Sequence, residues 1–190
     1  MEGNLMIKKT ITAFLIIMLS VLSLSAQERF LVNVSGSLLL PSDGFFQETY
    51  GKTAVLPELR AGFMIKRNLY LLAGYGYLSR SAELAEFAGA VKSRQHFAFA
   101  GFGFYPPVTK HIDYSAEMGL FHLSYMDSSE DPEVDLSGFG LGFDLGFIFN
   151  FDSPLYVEST VGYLTAAKDI DTRSLKMGGT RFRLSLGIRF

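Results

Sequence analysis

The chain has no cysteine and no tryptophan among its 190 residues. The first absence excludes a disulfide framework, a thiolate metal site, a cysteine nucleophile and a lipidated N-terminal cysteine. Positive charge is not in excess. The formal net charge is −2 and the pI about 5.9, which excludes a strongly basic nucleic-acid binder. Charged residues make up 19%, too few and too evenly spread for a disordered chain. After Gln27 no apolar run approaches the roughly 20 residues of a membrane-spanning helix. There is no phosphate-cradling loop either: Gly138-Phe139-Gly140-Leu141-Gly142 is a strand-like alternation. Proline is scarce, with 6 residues, whereas Phe 18, Tyr 9 and Gly 19 are abundant. That balance favours strands over helices, and the length allows one domain.

Residues 1–26 stand apart from the rest. Lys8 and Lys9 precede an apolar run, Ile11 to Leu24, followed by small Ser25 and Ala26 and polar Gln27 and Glu28. This is the layout of a cleavable secretory signal peptide. Translation from Met1 or Met6 suits it. Cleavage there leaves residues 27–190 as the mature domain, with 15 basic and 18 acidic residues.

The mature chain alternates with period two. Phe139, Leu141, Phe143, Leu145, Phe147, Phe149 and Phe151 share one parity, while Gly138, Gly140, Gly142, Asp144 and Gly146 share the other. Successive strand side chains point to opposite sides, so such a strand has one apolar face and one small or polar face. Eight strands are expected on this pattern: Phe30 to Leu40, Val55 to Ile65, Leu69 to Ser79, Gln95 to Tyr105, His111 to Tyr125, Ser137 to Phe151, Leu155 to Thr165 and Thr180 to Phe190. Eleven residues at ~3.3 Å each, tilted ~40°, rise about 28 Å, the thickness of a bilayer core. The links between them have 14, 3, 15, 5, 11, 3 and 14 residues. Long and short alternate, which is the arrangement of an up-and-down barrel with short turns at one end and longer loops at the other. A soluble sandwich or ligand-binding barrel buries its apolar face inside. Here that face is long, unbroken and aromatic, which suits lipid. One strand departs from the pattern: in Gln95 to Tyr105, Phe97 and Phe99 have one parity and Phe102 and Phe104 the other. Either a bulge near Ala100-Gly101 shifts the phase or phenylalanines fill the lumen.

The signal layout, the eight amphipathic strands, the alternating links and the terminal R-F-R-L-S-L-G-I-R-F, ending in Phe190, together resemble small outer-membrane β-barrel proteins of the OmpA/OmpX-like superfamily. The resemblance covers residues 27–190. It implies an all-β, eight-stranded antiparallel transmembrane barrel in a Gram-negative outer membrane, with a structural, adhesive or surface-binding role. Outer-membrane lipid, lipopolysaccharide, and the secretion and barrel-assembly machineries are then its partners. Nucleic acid, cofactor and metal are not, and the protein is expected to be a monomer.

With the apolar face outward, the lumen is expected to hold Glu58, Arg60, Arg80, Asp113, Glu117, Asp144, Glu158, Arg181, Arg183 and Arg189. Five acids then meet five arginines. An eight-stranded interior is only wide enough for side chains to fill, and unpaired charges there cost several kcal/mol each. A salt-bridged plug is expected; a gate for small ions is the sharper alternative.

Two further constellations bear on chemistry. His111 and Asp113 share a parity, a spacing that offers two metal ligands, though a lumen hydrogen bond is the simpler expectation. His122 and Ser124 share the outward parity at the outer end of the fifth strand. Serine with histidine in reach is the core of nucleophilic hydrolysis, and the pair resembles that of outer-membrane lipid A deacylases. Tyr125 follows where Asn is expected in that family, and the third member would be Glu133 or Asp135. The acidic segment Met126 to Leu136 holds Asp127, Glu130, Asp131, Glu133 and Asp135. It lacks EF-hand spacing and is expected to be a solvated outer loop.

Overall fold

In the computed structural model, the described residues are 29–42, 44, 47–48, 51–83, 90–128, 134–170, 173–176 and 178–190. Side chains are not described at 80, 82–83, 90–93, 125, 127–128, 134–136, 166–170 and 173–176. The signal segment 1–26 lies outside the described residues, as do Glu130, Asp131 and Glu133 of the acidic segment.

Among the described residues nine strands follow one another: β1 Phe30–Pro41, β2 Ala54–Lys66, β3 Leu69–Glu83, β4 Ala90–Phe104, β5 Ile112–Ser128, β6 Val134–Asn150, β7 Leu155–Ile170, β8 Arg173–Lys176 and β9 Gly179–Arg189. Each pairs antiparallel with its sequence neighbours from β1 through β7. The barrel closes because β9 lies between β7 and β1. At the seam the Phe30 amide donates to Phe190 O at 2.8 Å and the Phe190 amide to Phe30 O at 2.9 Å. Closure removes every open edge, so eight staves satisfy their backbone without water. Short β8 pairs with the C-terminal end of β7 and extends the β9 stave beyond it. The β2–β3 turn is tight, and Asn68 adopts a left-handed φ of 62° there, a conformation Asn tolerates better than most residues.

The strands run further than the apolar pattern does. β3 reaches Glu83, β4 starts at Ala90, and β5 and β6 pair out to Asp127↔Val134. The expected acidic loop is therefore partly strand. Ladder hydrogen bonds need only a paired neighbour, not an apolar face, so pairing continues past the lipid-length stretch. His111 precedes β5 and is exposed, so it is not the lumen residue expected; Asp113, by contrast, is buried.

The hydropathy is inside out. Phe139 is 73% exposed, Met118 65% and Leu184 61%, while Arg60, Arg181 and Arg183 are no more than 2% exposed. The anomaly in β4 resolves in favour of phenylalanines in the lumen. The register of β4 with β3 and β5 is continuous, Phe97 and Phe99 are buried, and Phe102 and Phe104 point outward. Glycine makes the room. A Cβ on Gly119 would strike the Phe99 ring and the Ala100 carbonyl.

Candidate functional site: the barrel lumen

The lumen is filled in three layers. Towards the end with the long links lie Leu39, Leu56, Leu78, Phe97, Phe99, Phe121, Leu123 and Leu164, all buried. Charged residues occupy the middle. Towards the end with the short turns lie Leu31, Tyr70, Leu72, Tyr105, Ile148 and Tyr156. The strand period sets this order, because every second residue of each stave enters the lumen one level further along.

The middle layer joins five staves. Arg60 of β2 meets Glu58 at 2.8 Å, pairs with Glu117 of β5, and stands 3.9 Å from Asp144 of β6. Arg181 of β9 forks onto Asp144 and reaches Glu58 at 3.4 Å. Arg183 contacts Glu117 at 2.8 Å, Glu158 of β7 at 3.2 Å and Asp144 at 3.5 Å. Neutral donors complete the shell. Tyr105 Oη donates to Glu117 at 2.7 Å, Ser115 Oγ to Glu158 at 2.6 Å, and Ser37 Oγ to Glu58. Below the layer, Arg189 pairs with Asp113 at 2.8 Å, and Asn150 Nδ2 donates to the same carboxylate at 2.9 Å. Arg189 also lies over the ring of Tyr156, 5.1 Å from its centroid. Arg80 falls in β3, but its side chain is outside the described residues. Among the described side chains the central layer thus has four carboxylates, Glu58, Glu117, Asp144 and Glu158, to three guanidiniums.

Sequence reasoning missed the aromatic cover of this layer. The Arg60 guanidinium lies 4.7 Å from the Phe99 centroid and that of Arg181 5.1 Å from Phe121, and the two rings pack at 4.8 Å. A cation over an aromatic face gains about 0.5–2 kcal/mol. The parity break in Gln95 to Tyr105 was the signal for Phe99; Phe121 shares the buried parity of Asp113 and Glu117. Together the layers do two things. They tie β2, β5, β6, β7 and β9 across the axis, and they place these side chains in the interior.

His122 and Ser124 both face outward from β5 and are partly exposed. The His122 ring packs on Phe139, centroids 4.9 Å apart, and the two residues share no hydrogen bond. Glu133, one candidate third member, and the side chain of Asp135, the other, are outside the described residues. The residue paired across from Ser124 in β4 is instead His96, whose Nδ1 is 2.6 Å from Tyr75 Oη. Among the described residues no group of three His, Cys, Asp or Glu is arranged to hold a metal ion.

No protein-family model and no curated protein sequence matches the chain. Solved structures do. Neisserial surface protein A matches with a TM-score of 0.68 at 12% identity, over 87% of this chain and 99% of that one. The outer membrane protein OprG of Pseudomonas aeruginosa matches with 0.58 at 11%, over 85% and 95%. Ail, the attachment invasion locus protein of Yersinia pestis, matches with 0.55 at 13%, over 85% and 97%. The fold is that of the small eight-stranded outer-membrane β-barrels.

Proposed function

We propose that this chain is an integral β-barrel of a Gram-negative outer membrane, with a structural, adhesive or surface-binding role and a lumen plugged by its own salt bridges. The observation that carries this reading is the inversion of hydropathy around a closed wall. Most outward positions of the staves are apolar, and their large side chains are exposed, whereas soluble monomers rarely expose apolar patches of more than a few hundred Å². Charges are buried on the inner side of that wall. Residues 1–26 serve as the export signal, the barrel-assembly machinery receives the C-terminal strand, and lipid and lipopolysaccharide surround the product. The loop end faces the cell exterior and the short turns face the periplasm. The adhesive element draws support from Ail, an attachment invasion locus protein of the same fold, which has also been crystallised with the heparin analogue sucrose octasulfate.

The chain acts here without catalysis. His122 engages a phenylalanine ring rather than Ser124, so the arrangement does not favour hydrolysis. The deciding experiment combines fractionation with two assays on purified protein. The protein is expected in outer membranes, with altered gel migration when unheated and an N-terminus near Gln27. In planar bilayers it should give no stepwise conductance, and lipopolysaccharide should keep all its acyl chains. Recovery in the soluble fraction after lysis without detergent would refute the barrel reading, and acyl release would refute the non-enzymatic one.

A further inference from the structure

The outward face is not apolar all the way round. At the loop end β1, β2, β7 and β9 present apolar or aromatic groups: Leu40, Val55, Tyr163 and Phe182 are all exposed there. On β3 to β6 the pattern changes. The register sets Tyr77 beside His96, His96 beside Ser124, and Ser124 beside Ser137, one polar row across four staves. The row above it sets Ser79 beside exposed Arg94 and Arg94 beside Met126, and runs on to Asp135. The row below sets Tyr75 beside Ala98, Ala98 beside His122 and His122 beside exposed Phe139. Below that the face is apolar again, with Ala73, Ala100, Leu120 and Leu141 in register.

Two features make this more than a polar rim. His96 is held in place: Tyr75 Oη lies 2.6 Å from its Nδ1, and the rings of Tyr75 and Tyr77 flank it with centroids at 6.0 and 5.1 Å. In the tautomer where Tyr75 donates to Nδ1, Nε2 carries the ring proton and has no protein acceptor among the described residues. The height also fits. From Phe104 to His96 is eight residues, which at ~3.3 Å each and ~40° tilt rise about 20 Å. That brings His96 and Arg94 to the upper edge of the ~25 Å apolar band of such barrels, where lipid headgroups begin.

We infer that Arg94, His96, Tyr77 and Ser124 form a binding site on the outer wall of the barrel for the phosphate-bearing sugar headgroup of an outer-leaflet glycolipid. Arg94 supplies the positive charge for phosphate. His96 Nε2 and the Tyr77 and Ser124 hydroxyls supply hydrogen bonds to phosphate and sugar. Below them the wall carries the small, exposed side chains of Ala73, Ala98 and Ala100, against which an acyl chain lies. The site rests on the membrane-barrel reading, because it needs lipid against this face and the loop end outward.

The test refolds the full mature barrel into phosphatidylcholine vesicles containing a minority of diphosphoryl lipid A, dephosphorylated lipid A or phosphatidylglycerol. Heat-modifiable gel migration reports folding. Lipid retained after gentle detergent release is then counted by native mass spectrometry. Diphosphoryl lipid A should be retained over the other two, and retention should fall by roughly tenfold or more in R94A and in H96A, the scale of losing one charge-assisted hydrogen bond. K66A, at the opposite rim, should retain lipid as the parent does. A folded barrel that retains dephosphorylated lipid A or phosphatidylglycerol equally well, or whose retention survives both R94A and H96A, would overturn the site. So would bound lipid that has lost an acyl chain. A protein that never becomes heat-modifiable fails earlier and overturns the barrel reading itself.

Discussion

Arg183 and Leu184 are adjacent in β9, yet one is 2% exposed and the other 61%, so a pair of substitutions there tests the whole arrangement. Arg183→Leu removes a guanidinium that contacts Glu117 at 2.8 Å, Glu158 at 3.2 Å and Asp144 at 3.5 Å. Four carboxylates are then left to Arg60 and Arg181. Glu158 suffers most, because among the described residues Arg183 is its one guanidinium within 4 Å and the hydroxyls of Ser115 and Ser185 are its other donors. Breaking a buried pair by removing one partner costs about 3–5 kcal/mol. Glu158→Gln on the Arg183→Leu background should recover part of this, since it removes the orphaned charge. The coupling should be about 1–3 kcal/mol, the range for residues of one network. Leu184→Arg should cost about 2–4 kcal/mol, as a cation near the middle of the lipid face does, and should show no coupling to Glu158→Gln. Urea titration of the protein refolded in lipid vesicles measures all of these. If Arg183→Leu is neutral, or its cost is independent of Glu158, the central layer does not hold the barrel together as argued.

Gly162→Ala should destabilise by about 1–3 kcal/mol, the usual cost of overpacking, because the new Cβ would strike the Asp144 carboxylate and the Phe143 carbonyl; the same titration reads it. Phe99→Ala should cost about 3–5 kcal/mol, since its ring covers Arg60 and packs on Phe121. It should still give no conductance steps in planar bilayers, because the ionic layer below remains. The native chain has no cysteine, so single cysteines report sidedness cleanly. K52C should react with a membrane-impermeant maleimide on intact cells while R67C reacts only after the envelope is breached. The reverse result would invert the topology.

Much of the fold was legible because a membrane barrel obeys two one-dimensional rules. Side chains alternate, and consecutive staves pair. The run from Phe139 to Phe151 therefore declared its facing without any tertiary information, and the alternating link lengths declared the order of the staves. The same parity put Glu58, Arg60, Asp113, Glu117, Asp144, Glu158, Arg181, Arg183 and Arg189 on the inner side before any contact was known. It failed where facing is not the issue. Strand ends were misplaced because pairing persists beyond the apolar stretch, as in Met126 to Ser128. His111 has the parity of Asp113 but sits before β5 begins, where the period no longer applies.

Parity says which side a residue faces but not whom it meets. That Arg183 reaches Glu117, Glu158 and Asp144, that Phe99 covers Arg60, and that His96 rather than His122 lies across from Ser124 all depend on stagger between staves. Stagger is fixed only when the sheet closes on itself and every strand takes one register against two neighbours. The residues themselves determined a barrel with apolar walls and a charged interior. The closed structure alone decided which charges share a level, because partners 57 to 66 residues apart are brought together by the circuit of the wall rather than by any local pattern.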